Sequence, residues 1–122
     1  MHISPEEMAA YKATNRRRMG NDRKQLSRRY HQAWKIARKG ADLLKKEFRA
    51  KEVIVFGSLL RKELFHMKSD VDLAVRGLDG KLYYRAVSRL LDLDTDIQMD
   101  LVMTEDAAES LRKQIGKEGI VI

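Results

Sequence analysis

Hydrophobic positions recur at helical spacing along the first 48 residues. Ser4-Pro5-Glu6-Glu7 has a cap residue, a proline at the first helical position and a glutamate that completes a capping box, which predicts a helix start. Gly20-Asn21 predicts a break or bend. From Asp22 onward an apolar stripe predicts a second helix about 40 Å long, formed by Leu26, Tyr30, Ala33, Ala37, Leu44 and Phe48.

The two predicted helices have different surroundings. The stripe of the second helix predicts packing across a sheet, and a seam between two copies of the chain is the alternative, so a homo-oligomer stays open. The first helix, from Pro5 to Met19, has few large apolar residues. We expect it to be loosely docked or to engage another chain.

After residue 51 the pattern changes to short apolar runs. Val53-Ile-Val-Phe56 is bounded by Gly57 and predicts a strand with a tight turn, and Ser58 to Leu64 has helical character. Val71-Asp72-Leu73-Ala74-Val75 alternates, so it predicts a strand that places Asp70 and Asp72 on one face and its valines and leucine in a core. A helix is predicted from Lys81 to Asp92, and its apolar residues are expected to cover the sheet: Leu82, Val87, Leu90 and Leu91.

A third carboxylate comes from the run between Leu91 and Asp100, which holds four aspartates. If Ile97, Met99 and Leu101 face the core, the residues between them share the opposite face. Asp100 is therefore the predicted site residue and Asp96 the reserve. Asp92 and Asp94 fall at a helix end and in a loop, where they are expected to be ordinary solvated residues.

These polar residues predict a nucleotide site. Two carboxylates on one strand face raise each other's proton affinity unless a cation intervenes, and a hard ion such as Mg²⁺ prefers oxygen ligands. Gly57 lets the main chain approach a phosphate, Ser58 can cap the following helix and donate a hydrogen bond, and Arg61 can add a charged contact.

The order of these motifs resembles the minimal nucleotidyltransferases of the DNA polymerase beta superfamily. Gly57-Ser58, the Asp70-x-Asp72 strand and Asp100 match the family pattern, and Gly116 to Ile122 looks like its closing strand, so the likeness spans residue 51 to the end. It implies an α/β (α+β) nucleotidyltransferase fold, a small mixed sheet flanked by helices. The family often has a glycine where this chain has Lys62, which affects the loop shape.

The resemblance also implies a chemistry. Asp70, Asp72 and Asp100 would hold one or two Mg²⁺ ions, and Gly57, Ser58 and Arg61 would bind the nucleotide. A nucleoside monophosphate, AMP if the substrate is ATP rather than another nucleoside triphosphate, would pass to a hydroxyl group and release pyrophosphate. Small members are often antitoxins that attach AMP to a tyrosine of a helical HEPN partner protein. A non-catalytic antitoxin or nucleic-acid-binding module on the same fold is the alternative.

Charge divides the chain into a basic N-terminal helical arm, residues 1–50, and a predicted nucleotidyltransferase domain, residues 51–122. Residues 1–51 carry fifteen Lys and Arg against five Asp and Glu, whereas residues 52–122 carry ten against thirteen. The arm could bind nucleic acid or an acidic partner protein, or it could be a solvated face.

The remaining composition excludes several classes of protein. There are no cysteines, so disulfides and thiolate zinc sites are excluded, and no run approaches the roughly twenty apolar residues of a membrane span. The start of the sequence is polar rather than leader-like, and we expect a cytoplasmic protein with no membrane partner. His2, His31 and His66 are too scattered to predict a metal site.

Overall fold

The computed structural model describes residues 3–122. Over these residues the chain forms three α-helices and four strands, in the order α1 (Pro5–Phe48), β1 (Glu52–Phe56), β2 (Val71–Arg76), α2 (Tyr83–Leu91), β3 (Met99–Met103), α3 (Glu109–Glu118) and β4 (Ile120–Val121). Short 3-10 helices cover Gly57–Leu60, Lys62–Leu64, Gly80–Leu82 and Thr104–Asp106. No helix within this range is long and apolar enough to cross a membrane.

The four strands form one mixed sheet in the order β3-β2-β1-β4. β1 pairs antiparallel with β2 and with β4, and β2 pairs parallel with β3. A parallel pair needs a crossover, which α2 supplies between β2 and β3. The predicted mixed sheet with flanking helices is confirmed.

Helix α1 runs without interruption for 44 residues. The Ser4 side chain accepts a hydrogen bond from the Glu7 N–H at 3.1 Å, as the capping sequence predicts. The predicted break at Gly20-Asn21 is wrong. One helical glycine costs only about 1 kcal/mol relative to alanine, and the neighbouring arginines, methionine and lysine favour the helix enough to outweigh that cost.

The two halves of α1 have different environments. Every helical residue up to Gln25 is exposed, including the apolar side chains of Met8, Tyr11 and Met19. Beyond Gln25 the predicted stripe becomes buried, and Leu44 is completely inaccessible to solvent. The prediction that the stripe packs on the sheet is therefore confirmed.

The sheet separates two apolar clusters. On one face the second half of α1 and helix α2 cover the odd-numbered residues of β1 and β2, such as Val53 and Leu73. On the other face Ile115 of α3 packs with the even-numbered residues Ile54, Phe56 and Ala74. Asp72 shares the α3 face with these even-numbered residues, because successive side chains of a strand alternate.

Three other sequence predictions change in the structure. The segment after Gly57 forms two 3-10 turns rather than an α-helix, and the Ser58 side chain makes no cap hydrogen bond. The closing strand is only Ile120–Val121, since residues 116–118 end α3. Leu91, expected to cover the sheet, is 48% exposed because it is the last residue of α2. His2 lies outside the described residues.

A pair of fragments tests where the domain begins. The boundary at residue 50 stays a prediction, but Ile36, Leu44 and Phe48 supply core contacts from before it. We expect a fragment of residues 51–122 to be unfolded by circular dichroism, because losing each large core side chain costs about 2 to 5 kcal/mol. Residues 23–122 should melt within about 3 °C of the full chain. Cooperative folding of the shorter fragment would contradict this assignment.

Candidate active site

The turn after β1 requires glycine for two independent reasons. Gly57 has a φ of +82°, a left-handed conformation that side chains rarely adopt. A Cβ at this position would lie 2.3 Å from Oδ2 of Asp72. The missing side chain therefore leaves the space that the Asp72 carboxylate occupies against the main chain of the turn.

Strand register brings the second carboxylate beside the first. In β2, Asp72 lies opposite Phe56 of β1 on one side and opposite Asp100 of β3 on the other. Its side chain and that of Asp100 are close enough to share a hydrogen bond. Asp70 immediately precedes β2 and acts on Asp72 through its charge. The three predicted site residues thus meet around Asp72.

Their proximity changes the chemistry of Asp72. The pKa of the Asp72 carboxyl is raised from its ordinary value of 3.8 to about 6, and burial is the largest cause. The negative charges of Asp100 and Asp70 and the hydrogen bond with Asp100 raise it further. Two carboxylates can share a proton below that pH, whereas above it they repel each other unless a cation lies nearby.

The other aspartates of the run before β3 lie elsewhere. Asp92 follows α2, as predicted, and Asp96 is exposed in the loop before β3. Asp94 is not the ordinary solvated residue that was expected, because its Oδ1 accepts hydrogen bonds from the N–H groups of Asp96 and Ile97 at 2.7 and 3.3 Å. These bonds lower the pKa of Asp94, and the bond from the Asp96 N–H has the largest effect.

A cavity of about 340 Å³ opens on the α3 side of the glycine turn. Its walls are Gly57, Ser58, Arg61 and Leu64 from the turn region and Gln114 and Glu118 from α3. The two α3 residues were missed by sequence analysis. They lie one helical turn apart. The apolar residues of the helix predict which of its sides is buried, but nothing in the sequence shows which site the helix faces.

Arg61 lies in this cavity but is already paired. Its Nη2 donates to Oε1 of Glu118 at 3.0 Å, and both side chains remain substantially exposed. The expected helix N-terminus is replaced by 3-10 turns, so Gly57 and Ser58 can offer local N–H groups but not the dipole of a long helix.

The acidic cluster suits a hard cation in its donor chemistry. Its donors are all carboxylate oxygens, the ligands that Mg²⁺ prefers, and its central carboxyl binds protons unusually well because it is buried and because negative charge is concentrated around it. Within residues 3–122, however, no three acidic, histidine or cysteine side chains are arranged as a finished metal site. Metal binding by Asp70, Asp72 and Asp100 therefore stays a prediction.

Comparison with known proteins identifies the family. The model of the family described as polymerase beta, nucleotidyltransferase matches residues 38–122. The chain belongs to this nucleotidyltransferase family. The resemblance seen in the sequence is thus confirmed, and the match begins inside α1, at the part of the helix that packs on the sheet.

Solved structures similar to this chain include crystal structures of toxin–antitoxin complexes. A mutant MntA–HepT complex is 24% identical with a TM-score of 0.57, covering 70% of each chain. A toxin–antitoxin with AMP-PNP is 24% identical with a TM-score of 0.56, covering 68% of this chain and 69% of that one. Another mutant MntA–HepT complex is 25% identical with a TM-score of 0.54, covering 70% of this chain and 68% of that one. A search of curated proteins found no match.

The raised pKa of Asp72 predicts a pH-dependent stability in the absence of divalent cations. A folded-state pKa of about 6 lies above the unfolded value, so this contribution is complete below about pH 4 and is lost as the pH rises through 6. After allowing for solvent screening, we expect the free energy of unfolding to fall by about 1 kcal/mol between pH 5 and pH 8.

Urea denaturation of the wild type and of Asp72→Asn measures this loss. The variant should lose less stability over the same pH interval, since it cannot ionise. Adding MgCl₂ at pH 8 should stabilise the wild type more than the variant. Equal pH dependence in the two proteins would show that Asp72 titrates normally.

Proposed function

We propose that this chain is an active, Mg²⁺-dependent nucleotidyltransferase that transfers AMP from ATP to a hydroxyl group. The observation that carries the proposal is the position of Asp72, which lies against Gly57 and beside Asp100 at the turn that also lines the cavity. A purely structural role does not explain the clustering of negative charge against the glycine turn. A site for a nucleotide and a cation explains it.

The cavity and the acidic cluster divide the work between them. Gly57, Ser58 and Arg61 line the cavity and would bind the outer phosphates of ATP there. The α-phosphate would then lie toward Asp72 and Asp100. The hydroxyl oxygen of the acceptor attacks the α-phosphorus, and the bond from that phosphorus to the bridging oxygen breaks. Pyrophosphate leaves, and Asp100 accepts the hydroxyl proton.

The three aspartates would hold the metal ion. When bound, Mg²⁺ supplies neutralisation of the phosphate charge that develops during such a displacement. Asp72 contributes most fully when ionised, so activity should fall as the pH drops below its pKa of about 6. Bound metal would lower that pKa, because an opposite charge favours the ionised carboxylate.

A HEPN toxin is the acceptor that we propose. The similar crystal structures include MntA–HepT toxin–antitoxin complexes, one of them 25% identical to this chain, and a further toxin–antitoxin structure that contains AMP-PNP. The acceptor group would be a protein hydroxyl, such as that of a tyrosine. We place the reaction in the cytoplasm, in an antitoxin role.

Substitution of the carboxylates tests the proposed catalysis. With α-labelled ATP, Mg²⁺ and a HEPN toxin as acceptor, Asp72→Asn and Asp100→Asn should each lower label transfer by at least about 100-fold, since general base and charge contributions have that size. The matched control is Asp96→Asn, which changes an exposed aspartate in the adjacent loop. It should retain activity within about twofold.

The same experiment decides the alternative function. If the wild type transfers no label, while the wild type and the Asp72→Asn variant neutralise the toxin equally, the chain is a non-catalytic antitoxin on this fold. If Asp96→Asn is the damaging change and Asp100→Asn is not, the third carboxylate is wrongly assigned although the reaction stands.

The pairing of Arg61 with Glu118 predicts a further effect on nucleotide binding. Glu118 forms an ion pair with the Arg61 guanidinium at 3.0 Å and adds a negative charge to a cavity proposed for phosphates. Glu118→Gln should therefore tighten ATP binding about 3- to 10-fold at low salt, because it frees Arg61 and removes a repulsive charge. Arg61→Gln should weaken ATP binding instead.

Glu109→Gln is the matched control for this measurement by calorimetry. It removes the same charge from the same helix, but its partner is Lys113 and it does not line the cavity. It should leave the ATP dissociation constant unchanged. Weaker ATP binding by Glu118→Gln would instead make Glu118 a direct nucleotide contact.

A further inference from the structure

The solvent side of α1 carries a continuous row of positive charges. Between residues 16 and 39 the helix has ten Lys and Arg residues and a single acidic residue, Asp22. Spacings of seven, four and seven residues return to the same side of a helix with 3.6 residues per turn. The basic face is defined by residues that follow this spacing or flank it: Arg17, Lys24, Arg28, Lys35, Arg38 and Lys39.

This basic face is open to solvent along its whole length. All six side chains are exposed, and among the residues that the structure describes none of them forms an ion pair. Ala33, Ala37 and Leu44 are buried on the opposite side of α1, so packing on the sheet turns the basic face outward. From Arg17 to Lys39 it extends about 33 Å.

The composition of this face distinguishes between kinds of partner. Protein interfaces have an apolar centre and few lysines, but the positions between the charges on this side are Gly20, Asn21, Ser27 and His31. A second copy of the chain would bring like charges together. Nucleic-acid duplexes present one negative charge per about 1.7 Å of axis and are bound through polar, positively charged surfaces.

We propose that the basic face of α1 binds the phosphate backbone of a nucleic-acid duplex without reading its sequence. The exposed first half of the helix extends the surface beyond the sheet, and the second half fixes its orientation to the domain. This binding is independent of the nucleotidyltransferase reaction, because Asp72 lies on the α3 face of the sheet whereas α1 covers the other face.

Fluorescence anisotropy with a labelled 20-base-pair duplex of arbitrary sequence tests the proposal on the full chain. Replacing Arg17, Lys24, Arg28 and Lys35 together by glutamine, which keeps helix propensity, should weaken binding at least tenfold at 0.1 M salt. The slope of log K against log salt should become shallower by about 3 to 4, because each phosphate that the protein neutralises contributes about 0.9 to that slope.

A control with the same change in net charge separates this face from general attraction. It replaces four exposed cations on other elements by glutamine: Lys81, Arg85, Lys113 and Lys117. This control should change affinity less than threefold, by about 0.6 kcal/mol at most. Equal losses in the two quadruple variants, or no wild-type binding at 0.1 M salt, would overturn the proposal.

Two further measurements complete the test. Poly-L-glutamate of similar length should compete poorly, and competition as strong as that of unlabelled duplex would assign the face to an acidic protein and overturn the proposal. Asp72→Asn should bind duplex like the wild type. The test of duplex binding is therefore independent of the test of label transfer.

Discussion

The close approach of the Asp72 carboxylate to the main chain of Gly57 is the constraint on which the site depends. It requires a left-handed glycine at the end of β1 and an antiparallel register that places Asp72 opposite Phe56. The parallel pairing of β2 with β3 then adds Asp100 from the other side. Burial, followed by the negative charges of Asp100 and Asp70, raises the pKa of Asp72 to about 6 beside a cavity.

Helix α1 links two properties that are separate in the sequence. Its second half supplies core side chains to the sheet, and the same packing directs its basic face away from the acidic site. The chain thus keeps opposite charges on opposite faces of one small sheet. That separation lets a catalytic site that binds a cation and an anionic nucleotide coexist with a cationic surface on the other side of the molecule.

Local patterns predicted the elements that build the site. Strict alternation placed Val71 and Leu73 in the core and Asp72 on the other face, and the period around Met99 left Asp100 and Asp96 as candidates for the third carboxylate. The pattern failed where two local preferences were nearly balanced. A helical composition after Gly57 became 3-10 turns, and a single exposed glycine at position 20 did not interrupt α1.

The sequence by itself determined the apolar stripe of α1, the alternation of β2 and the residue types that can bind a cation and phosphates, because these follow from spacing and side-chain chemistry. Only the tertiary structure decided what those residues meet. The pairing of Arg61 with Glu118 joins positions 57 residues apart, and the wall formed by α3 depends on how Ile115 packs beneath the sheet. Such contacts depend on long-range packing, which no local pattern records.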